Sequence, residues 1–246
     1  LLGAALAVAA LAAVTSLIPM TQADFHLSGT QIGDVPPGVL GTSNECRACH
    51  GDFDVEDEPW ATWAGSLMGL AGQDPLFYAQ MTTANQDVAN VGTFCLRCHV
   101  PMSYVTGHAS DPTGYSLDDV DRDGVTCHFC HSQVDPVYVA GQSPPEDEAI
   151  LGALAAVPTS YGNAMFVLDP AGVRRGPYSE TDAVHETIYS PFHKSGDMCG
   201  TCQIGEGIKD EAPGIFVGEK LGNWKPGSPH VSIALDPIDG TTLTAK

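Results

Sequence analysis

All eight cysteines of the chain occur in pairs separated by two residues, and three of these pairs are followed directly by a histidine. The complete motifs are Cys46-Arg47-Ala48-Cys49-His50, Cys95-Leu96-Arg97-Cys98-His99 and Cys127-His128-Phe129-Cys130-His131, and the incomplete one is Cys199-Gly200-Thr201-Cys202-Gln203. Cys-x-x-Cys-His is the attachment motif of c-type haem. The thiols bind the porphyrin, and the histidine ligates the iron as the proximal ligand. The spacing predicts three haem c groups, with His50, His99 and His131 as proximal ligands.

Other chemistries use similar cysteine pairs. A zinc site also pairs Cys-x-x-Cys motifs, but it does not require a histidine directly after each pair. A redox dithiol is a further alternative for a single motif. Disulfides within such pairs would close very short loops and stabilise a fold poorly. Three complete motifs in one chain favour a multihaem cytochrome. The pair Cys199 and Cys202 either holds a fourth haem c or forms a local disulfide in an oxidising compartment.

Composition and charge exclude some partners. The chain has 246 residues and a formal net charge of −20, with ten basic residues. Nucleic-acid binding is excluded, because it requires a basic surface. Acidic partners are disfavoured, whereas a basic docking surface on a redox partner protein or a bound divalent cation fits this charge. Aromatic residues make up only 7% of the chain. A side-chain core would therefore be thin, and haem could supply the missing apolar surface.

The first residues predict export. Residues 1–18 are uncharged and rich in Ala, Leu and Val, and Thr21-Gln22-Ala23 offers a small-residue cleavage site. This pattern predicts a signal peptide over residues 1–23. An uncleaved anchor is the alternative, since about 18 apolar residues approach the length that spans a bilayer. The expected location is periplasmic or extracellular, or membrane-anchored facing the periplasm. Residues 24–205 are then expected to form the cytochrome domain. Residues 206–246 are expected to form a Gly-rich tail, which is interpreted as the truncated start of further sequence.

Several stretches beyond the motifs resemble one cytochrome family. They are Glu58-Pro59-Trp60, Ser66 to Ala71, Asp74-Pro75-Leu76-Phe77, Cys98-His99-Val100-Pro101, Gly124-Val125-Thr126-Cys127 and Ser190-Pro191-Phe192-His193. Over about residues 44–205 the chain resembles the tetrahaem cytochrome family that includes the electron acceptor of hydroxylamine oxidoreductase. The resemblance implies a mainly α fold with extensive loops, wrapped compactly round stacked haems. It also implies that most irons have two histidine ligands.

Two positions depart from that family. Met68 stands where the family usually has a distal histidine, and a methionine thioether is an accepted iron ligand. Met68 could equally be an apolar filler on a helix. Gln203 replaces the fourth proximal histidine, which would leave an iron held at Cys199 and Cys202 open on one face. The resemblance implies His185 and His193 as distal ligands; His108 and His128 are further candidates, and His26 and His230 weaker ones.

An acidic loop lies ahead of the third motif. Asp119, Asp121 and Asp123 alternate before Gly124, like the first half of a calcium-binding loop. The twelfth position of that pattern is Cys130 instead of Glu, so an EF-hand is excluded. A calcium ion on this partial loop remains as one interpretation, and an acidic surface turn is the other.

These observations predict an exported multihaem cytochrome c that transfers electrons between redox partners through closely spaced haems. The chain is then an electron carrier and not an enzyme. The alternative is a small nitrogen- or sulfur-oxyanion oxidoreductase that uses an open iron at Cys199 and Cys202. A third interpretation is a structural role, in which stacked haems form part of a larger assembly.

Overall fold

The computed structural model describes residues 17–200 except residue 163, with only the backbone described for residues 199 and 200. The predicted signal peptide therefore falls mostly outside the described residues. Cys202, Gln203, His230 and the predicted tail lie wholly outside them. Within the described part of the chain, no helix is both long enough and apolar enough to cross a membrane.

Short helices dominate the described residues. The α-helices are α1 (Ser43–His50), α2 (Pro59–Ala64), α3 (Leu67–Leu70), α4 (Pro75–Asp87), α5 (Gly92–His99), α6 (Pro101–Val105), α7 (Cys127–His131), α8 (Pro145–Ala153) and α9 (Asp197–Gly200). Three further segments form 3-10 helices: Gln22–Phe25, His108–Ser110 and Pro191–Lys194. Most of these elements span only one or two turns, so their stability depends on tertiary contacts.

Local sequence signals set where the helices begin. Pro59 and Pro75 occupy the first turns of α2 and α4, where a missing N–H costs nothing. The Asp74 carboxylate accepts a hydrogen bond from the Leu76 N–H at 2.8 Å and caps α4. Thr126 caps α7 in the same way, through a hydrogen bond from the Phe129 N–H at 3.1 Å. The helix start predicted at Pro59 is confirmed.

Two small sheets lie between the helices of the described residues. β1 (Gln133–Val134) pairs antiparallel with β2 (Val167–Leu168), with Gln133 opposite Leu168. β3 (Arg174–Gly176) pairs parallel with β4 (Thr187–Tyr189), with Arg174 opposite Thr187. The prediction of a mainly α fold is wrong in leaving out these sheets. Strands of two or three residues are too short to show a periodic pattern, so their pairing depends on contacts between distant segments.

The main core lies between α4, α5, α6 and the strand β2. Its largest members are buried apolar side chains from these elements and from α7: Phe77, Met81, Leu96, Val100, Tyr104, Phe129, Phe166 and Leu168. Arg97 is also fully buried. Its guanidinium donates to the carbonyl oxygens of Ala164 and Thr30, each at 2.8 Å. It thereby connects the second cysteine motif to both the N-terminal arm and the segment before β2.

Gly124 allows a close approach of two segments just before the third motif. It has φ +71°, and a Cβ placed there would lie 2.5 Å from the carbonyl oxygen of Met68. Gly124→Ala is therefore expected to lower the free energy of unfolding by about 2 kcal/mol or more, from backbone strain and overpacking. Gly141 has φ +79° but no neighbour within 4 Å of the same position. Urea denaturation of both alanine variants separates the two effects; equal losses would contradict the packing role of Gly124.

Candidate functional site

The three complete motifs lie in short helices that each end at the motif histidine. They occupy α1, α5 and α7, which end at His50, His99 and His131. Of the six cysteines in these motifs, Cys49 is exposed and the other five are partly buried. Cys46 and Cys127 interact through their side chains although they belong to different motifs. This hydrogen bond raises the pKa of Cys46 and lowers that of Cys127. The fold thus brings the first and third motifs together.

Two of the motif histidines are oriented by backbone carbonyl groups. Nδ1 of His99 lies 2.9 Å from the Ala71 oxygen, and Nδ1 of His131 lies 2.8 Å from the Arg175 oxygen. Because a carbonyl oxygen only accepts hydrogen bonds, both Nδ1 atoms carry a proton in this arrangement. The His99 ring also stacks on Phe77, with centroids 3.6 Å apart. His50 lies at the exposed end of α1.

The remaining candidate ligands lie in different surroundings. His128 uses both ring nitrogens, since Nδ1 accepts from the Gly41 N–H at 2.7 Å and Nε2 lies 2.8 Å from the Gly172 oxygen. His108 pairs with Asp121 at 3.1 Å. His185 contacts only nearby residues of its own segment through Nδ1. Met68 is half exposed on α3. The structure does not bring these four side chains to a common centre.

His193 is the candidate that does approach a motif histidine. Its ring lies nearly parallel to that of His131, with centroids 6.0 Å apart and planes at 15°. Its Nε2 lies 3.2 Å from the Cys130 oxygen, and its Nδ1 is buried with no hydrogen-bond partner among the described residues. Burial lowers the pKa of His193 to about 4. The imidazole is therefore neutral at pH 7.

The depressed pKa of His193 predicts a pH-dependent stability. Between pH 6.5 and about 4 the unfolded chain binds a proton that the folded His193 does not, so stability is lost as the pH falls through this window. We expect a loss on the order of 2–3 kcal/mol, and His193→Gln should remove most of it. Urea unfolding at pH 7 and pH 4.5 measures the difference. His26→Gln, at an exposed site, is the control; an unchanged pH dependence in His193→Gln would contradict the assignment.

The acidic loop does not form a calcium site. Asp121 interacts with His108 and accepts from the Asp118 N–H at 3.1 Å, whereas Asp123 accepts from the Ser43 N–H at 2.7 Å. Asp119 is exposed, and Asp121 and Asp123 accept hydrogen bonds from different segments. In the part of the chain that the structure describes, no group of three or more His, Cys, Asp or Glu side chains could hold a metal ion. The calcium interpretation is therefore wrong.

Sequence reasoning missed a buried ion cluster around β3. Arg175 donates to Asp147 at 2.7 Å and to Asp169 at 2.8 Å, and all three side chains are buried. Burial raises the pKa of Asp147, while the Arg175 charge acts in the opposite direction. From the sequence alone, Arg174 and Arg175 are interpreted either as partners of haem propionate groups or as surface charges. No local pattern reveals the cluster, because Asp147 lies on α8, 28 residues away.

Comparison with known proteins identifies the similarity of the C-terminal part as that of a phosphatase. Residues 175–246 match the family model described as bacterial fructose-1,6-bisphosphatase, glpX-encoded. Curated relatives include fructose-1,6-bisphosphatase 1 class 2 of Escherichia coli K12 and the class 2 enzyme of Shigella flexneri. Each is 52% identical over 46 residues, which are 19% of this chain and 13% of the relative. The chain thus spans about an eighth of the length of these relatives. No solved structure matches the chain.

These matches overturn the interpretation of the chain as a multihaem cytochrome. The matched relatives are enzymes of the phosphatase class, which contradicts both the favoured electron carrier and the alternative oxyanion oxidoreductase. The expectation of a haem-wrapped cytochrome fold is wrong as well, since the matched family is a family of phosphatases. The cytochrome interpretation depended on far fewer residues than the phosphatase match does. A Cys-x-x-Cys-His motif fixes three positions, whereas the phosphatase match is a continuous stretch of 46 residues at 52% identity.

The cofactor expectation changes with the family. The expectation of haem c as the cofactor is wrong, since the matched relatives are phosphatases. The match begins at residue 175 and includes Cys199 and Cys202, whereas the three complete motifs at residues 46–131 precede it. It also starts inside the predicted domain of residues 24–205. The roles predicted for the cysteines and histidines of these motifs stay predictions.

The sequence of the tail contains further candidate functional residues, to which the cysteine motifs do not point. Asp236-Pro237-Ile238-Asp239 places two carboxylates three residues apart, directly before Gly240-Thr241-Thr242. Glu219 lies upstream between Gly218 and Lys220. Carboxylates followed by glycine and hydroxyl residues are a detectable signal for a cation and phosphate site. All of these residues lie outside the described part of the structure.

Proposed function

We propose that this protein is a phosphatase that releases inorganic phosphate from fructose 1,6-bisphosphate. The observation that carries the proposal is the 52% identity to class 2 fructose-1,6-bisphosphatases over 46 residues. The match to the bacterial fructose-1,6-bisphosphatase family over residues 175–246 supports it. Export and any docking of basic redox partners remain predictions from the sequence.

The acidic donors of the tail suit a divalent cation. Asp236, Asp239 and Glu219 offer only oxygen ligands, which Mg²⁺ and Mn²⁺ prefer. A bound cation would polarise a phosphoryl oxygen and promote formation of a nucleophilic hydroxide from water. The net charge of −20 disfavours the approach of an anionic bisphosphate, and a bound cation would offset this repulsion locally.

The residues after Asp239 are suited to binding the substrate phosphate. Thr241 and Thr242 carry hydroxyl groups that can donate hydrogen bonds to phosphate oxygens, and Gly240 lets the backbone approach an anion closely. In the proposed site the carboxylates hold the cation, and the hydroxyl and backbone N–H groups orient the phosphate. Orientation of this kind lowers the barrier by fixing the reacting groups in place.

Phosphate release from fructose 1,6-bisphosphate by the purified full-length protein tests the proposal. We expect turnover with Mg²⁺ or Mn²⁺ and loss of turnover after chelation with EDTA, which added metal restores. Fructose 6-phosphate serves as the control substrate and should release much less phosphate. Absence of release with either metal, or release that EDTA does not affect, would contradict the proposed metal-dependent phosphatase.

A further inference from the structure

A surface cavity of about 400 Å³ lies between the start of α4 and the loop that follows the 3-10 helix His108–Ser110. This volume is within the range of small-molecule sites. The lining combines aromatic, apolar and polar side chains with one guanidinium: Gln73, Pro75, Tyr78, Thr82, Thr113, Tyr115 and Arg122. None of these lining residues belongs to the three cysteine motifs or to residues 175–246.

Arg122 gives the cavity its charge. Its guanidinium lies over the ring of Tyr78, 4.4 Å from the centroid, and its Nη2 donates to the Gly114 oxygen at 3.3 Å. Among the described residues no carboxylate lies within 4.0 Å of this guanidinium, in contrast to Arg47 and Arg175. Within the described part of this strongly acidic chain, its positive charge is therefore not neutralised by an ion pair.

Four carboxylates of the neighbouring segments interact with other groups. Asp74 accepts from the Leu76 N–H at 2.8 Å, and Asp111 accepts from the Thr113 N–H at 2.9 Å. Asp118 accepts from the Val120 N–H at 2.8 Å, and Asp121 interacts with His108. These carboxylates still repel an approaching anion. A ligand with a single negative charge is therefore favoured over a dianion such as a phosphate monoester.

The walls of the cavity suit a flat apolar group. Gly114 has φ +69°, and a Cβ placed there would lie 3.2 Å from the Tyr78 ring, so the loop packs directly against α4. Pro75 and Tyr115 provide apolar surface at the rim, and the Tyr115 side chain is 81% exposed. An exposed tyrosine beside a cavity offers a ring for stacking.

We propose that this cavity binds a small aromatic carboxylate, with its carboxylate paired to Arg122 and its ring against Tyr115 and Pro75. Guanidinium groups bind carboxylates through two parallel hydrogen bonds, which selects this ligand class geometrically. The lining residues are not among those proposed for the phosphatase chemistry, so the outcome of a binding test does not depend on that activity.

Calorimetric titration of the full-length protein with benzoate tests the proposal, with benzamide and phenyl phosphate as comparison ligands. We expect saturable binding of benzoate, at least about tenfold weaker binding of neutral benzamide, and weaker binding of phenyl phosphate. Arg122→Gln should weaken benzoate binding by about tenfold or more. Arg47→Gln, which removes a guanidinium outside the cavity, should leave it unchanged.

A second variant is needed because Arg122→Gln also removes the hydrogen bond that holds the loop at Gly114. Thr82→Met fills the cavity from an exposed position on α4 and leaves Arg122 in place, so it should abolish benzoate binding while the circular dichroism spectrum is retained. Benzoate binding that is not saturable, or that both variants leave intact, overturns the proposal. Tighter binding of phenyl phosphate than of benzoate also overturns the assignment to a carboxylate.

Discussion

Replacing Arg175 with methionine is expected to lower the free energy of unfolding by about 3–5 kcal/mol. Arg175 is fully buried and donates to two buried carboxylates, Asp147 at 2.7 Å and Asp169 at 2.8 Å. One oxygen of Asp147 already lacks a hydrogen-bond partner among the described residues. Without Arg175 both carboxylates would be buried without their counter-charge, which is far more costly than losing a surface ion pair.

The matched control is Arg47→Met. Arg47 forms an equally short ion pair with Asp52, at 2.6 Å, but both side chains are largely exposed. Water solvates each partner after the pair is broken, so we expect a loss below about 1 kcal/mol. Urea denaturation at pH 7 measures both variants. Similar losses in the two variants would show that burial does not decide the contribution of the Arg175 cluster.

The same variant should depend on pH. Burial raises the pKa of Asp147 even with Arg175 present, and removal of the guanidinium raises it further. A carboxyl group with a raised pKa in the folded state stabilises the fold below its unfolded pKa, and this contribution is lost as the pH rises. The penalty of Arg175→Met should therefore be smaller at pH 4 than at pH 7.

Asp236→Asn is expected to reduce the proposed fructose 1,6-bisphosphatase activity by about 100-fold or more. The change removes a negative charge from a cation ligand while it keeps the size of the side chain. Loss of a carboxylate ligand weakens metal binding, so the concentration of Mg²⁺ or Mn²⁺ needed for half-maximal activity should also rise. The measurement is phosphate release as a function of metal concentration.

Asp119→Asn is the control for that experiment. Asp119 is exposed on the acidic loop ahead of the third cysteine motif and lies outside the proposed phosphatase residues. It lowers the net negative charge by the same amount, so a general electrostatic effect would appear in both variants. Activity in Asp236→Asn equal to that of Asp119→Asn would refute the role of Asp236 as a metal ligand.

Helix boundaries followed from the sequence where the signal was local. Pro59 predicts a helix start, and α2 begins there, because proline geometry acts within one turn. Asp74-Pro75 predicts the end of one helix ahead of a second from Leu76, whereas in the structure Asp74 caps α4 and Pro75 begins it. The apolar run at residues 149–157 predicts a helix there, whereas α8 spans Pro145–Ala153. Its acidic first turn, at residues 146–148, favours the start of a helix through the helix dipole, so the apolar run forms its end.

The predicted cytochrome function is wrong because it depended on short motifs and not on the C-terminal tail. Three Cys-x-x-Cys-His motifs define where cysteines and histidines stand, but each fixes few positions. Asp236 and Asp239 with the following Gly-Thr-Thr carried a second chemical signal in the same sequence. A carboxylate pair is common on protein surfaces, so only similarity over a longer stretch made its function recognisable.

The sequence by itself determined the cysteine pairs, the helix starts at proline and Asp74, the acidic charge and the similarity of residues 175–246 to phosphatases. These properties depend on residues close together in the chain. Only the tertiary structure decided that Arg97 and Arg175 are buried, that His193 meets His131, and that Cys46 meets Cys127. Each of these joins residues separated by many positions. A basic residue can be buried only where distant carbonyl or carboxylate oxygens replace its water, and folding alone brings those oxygens to it.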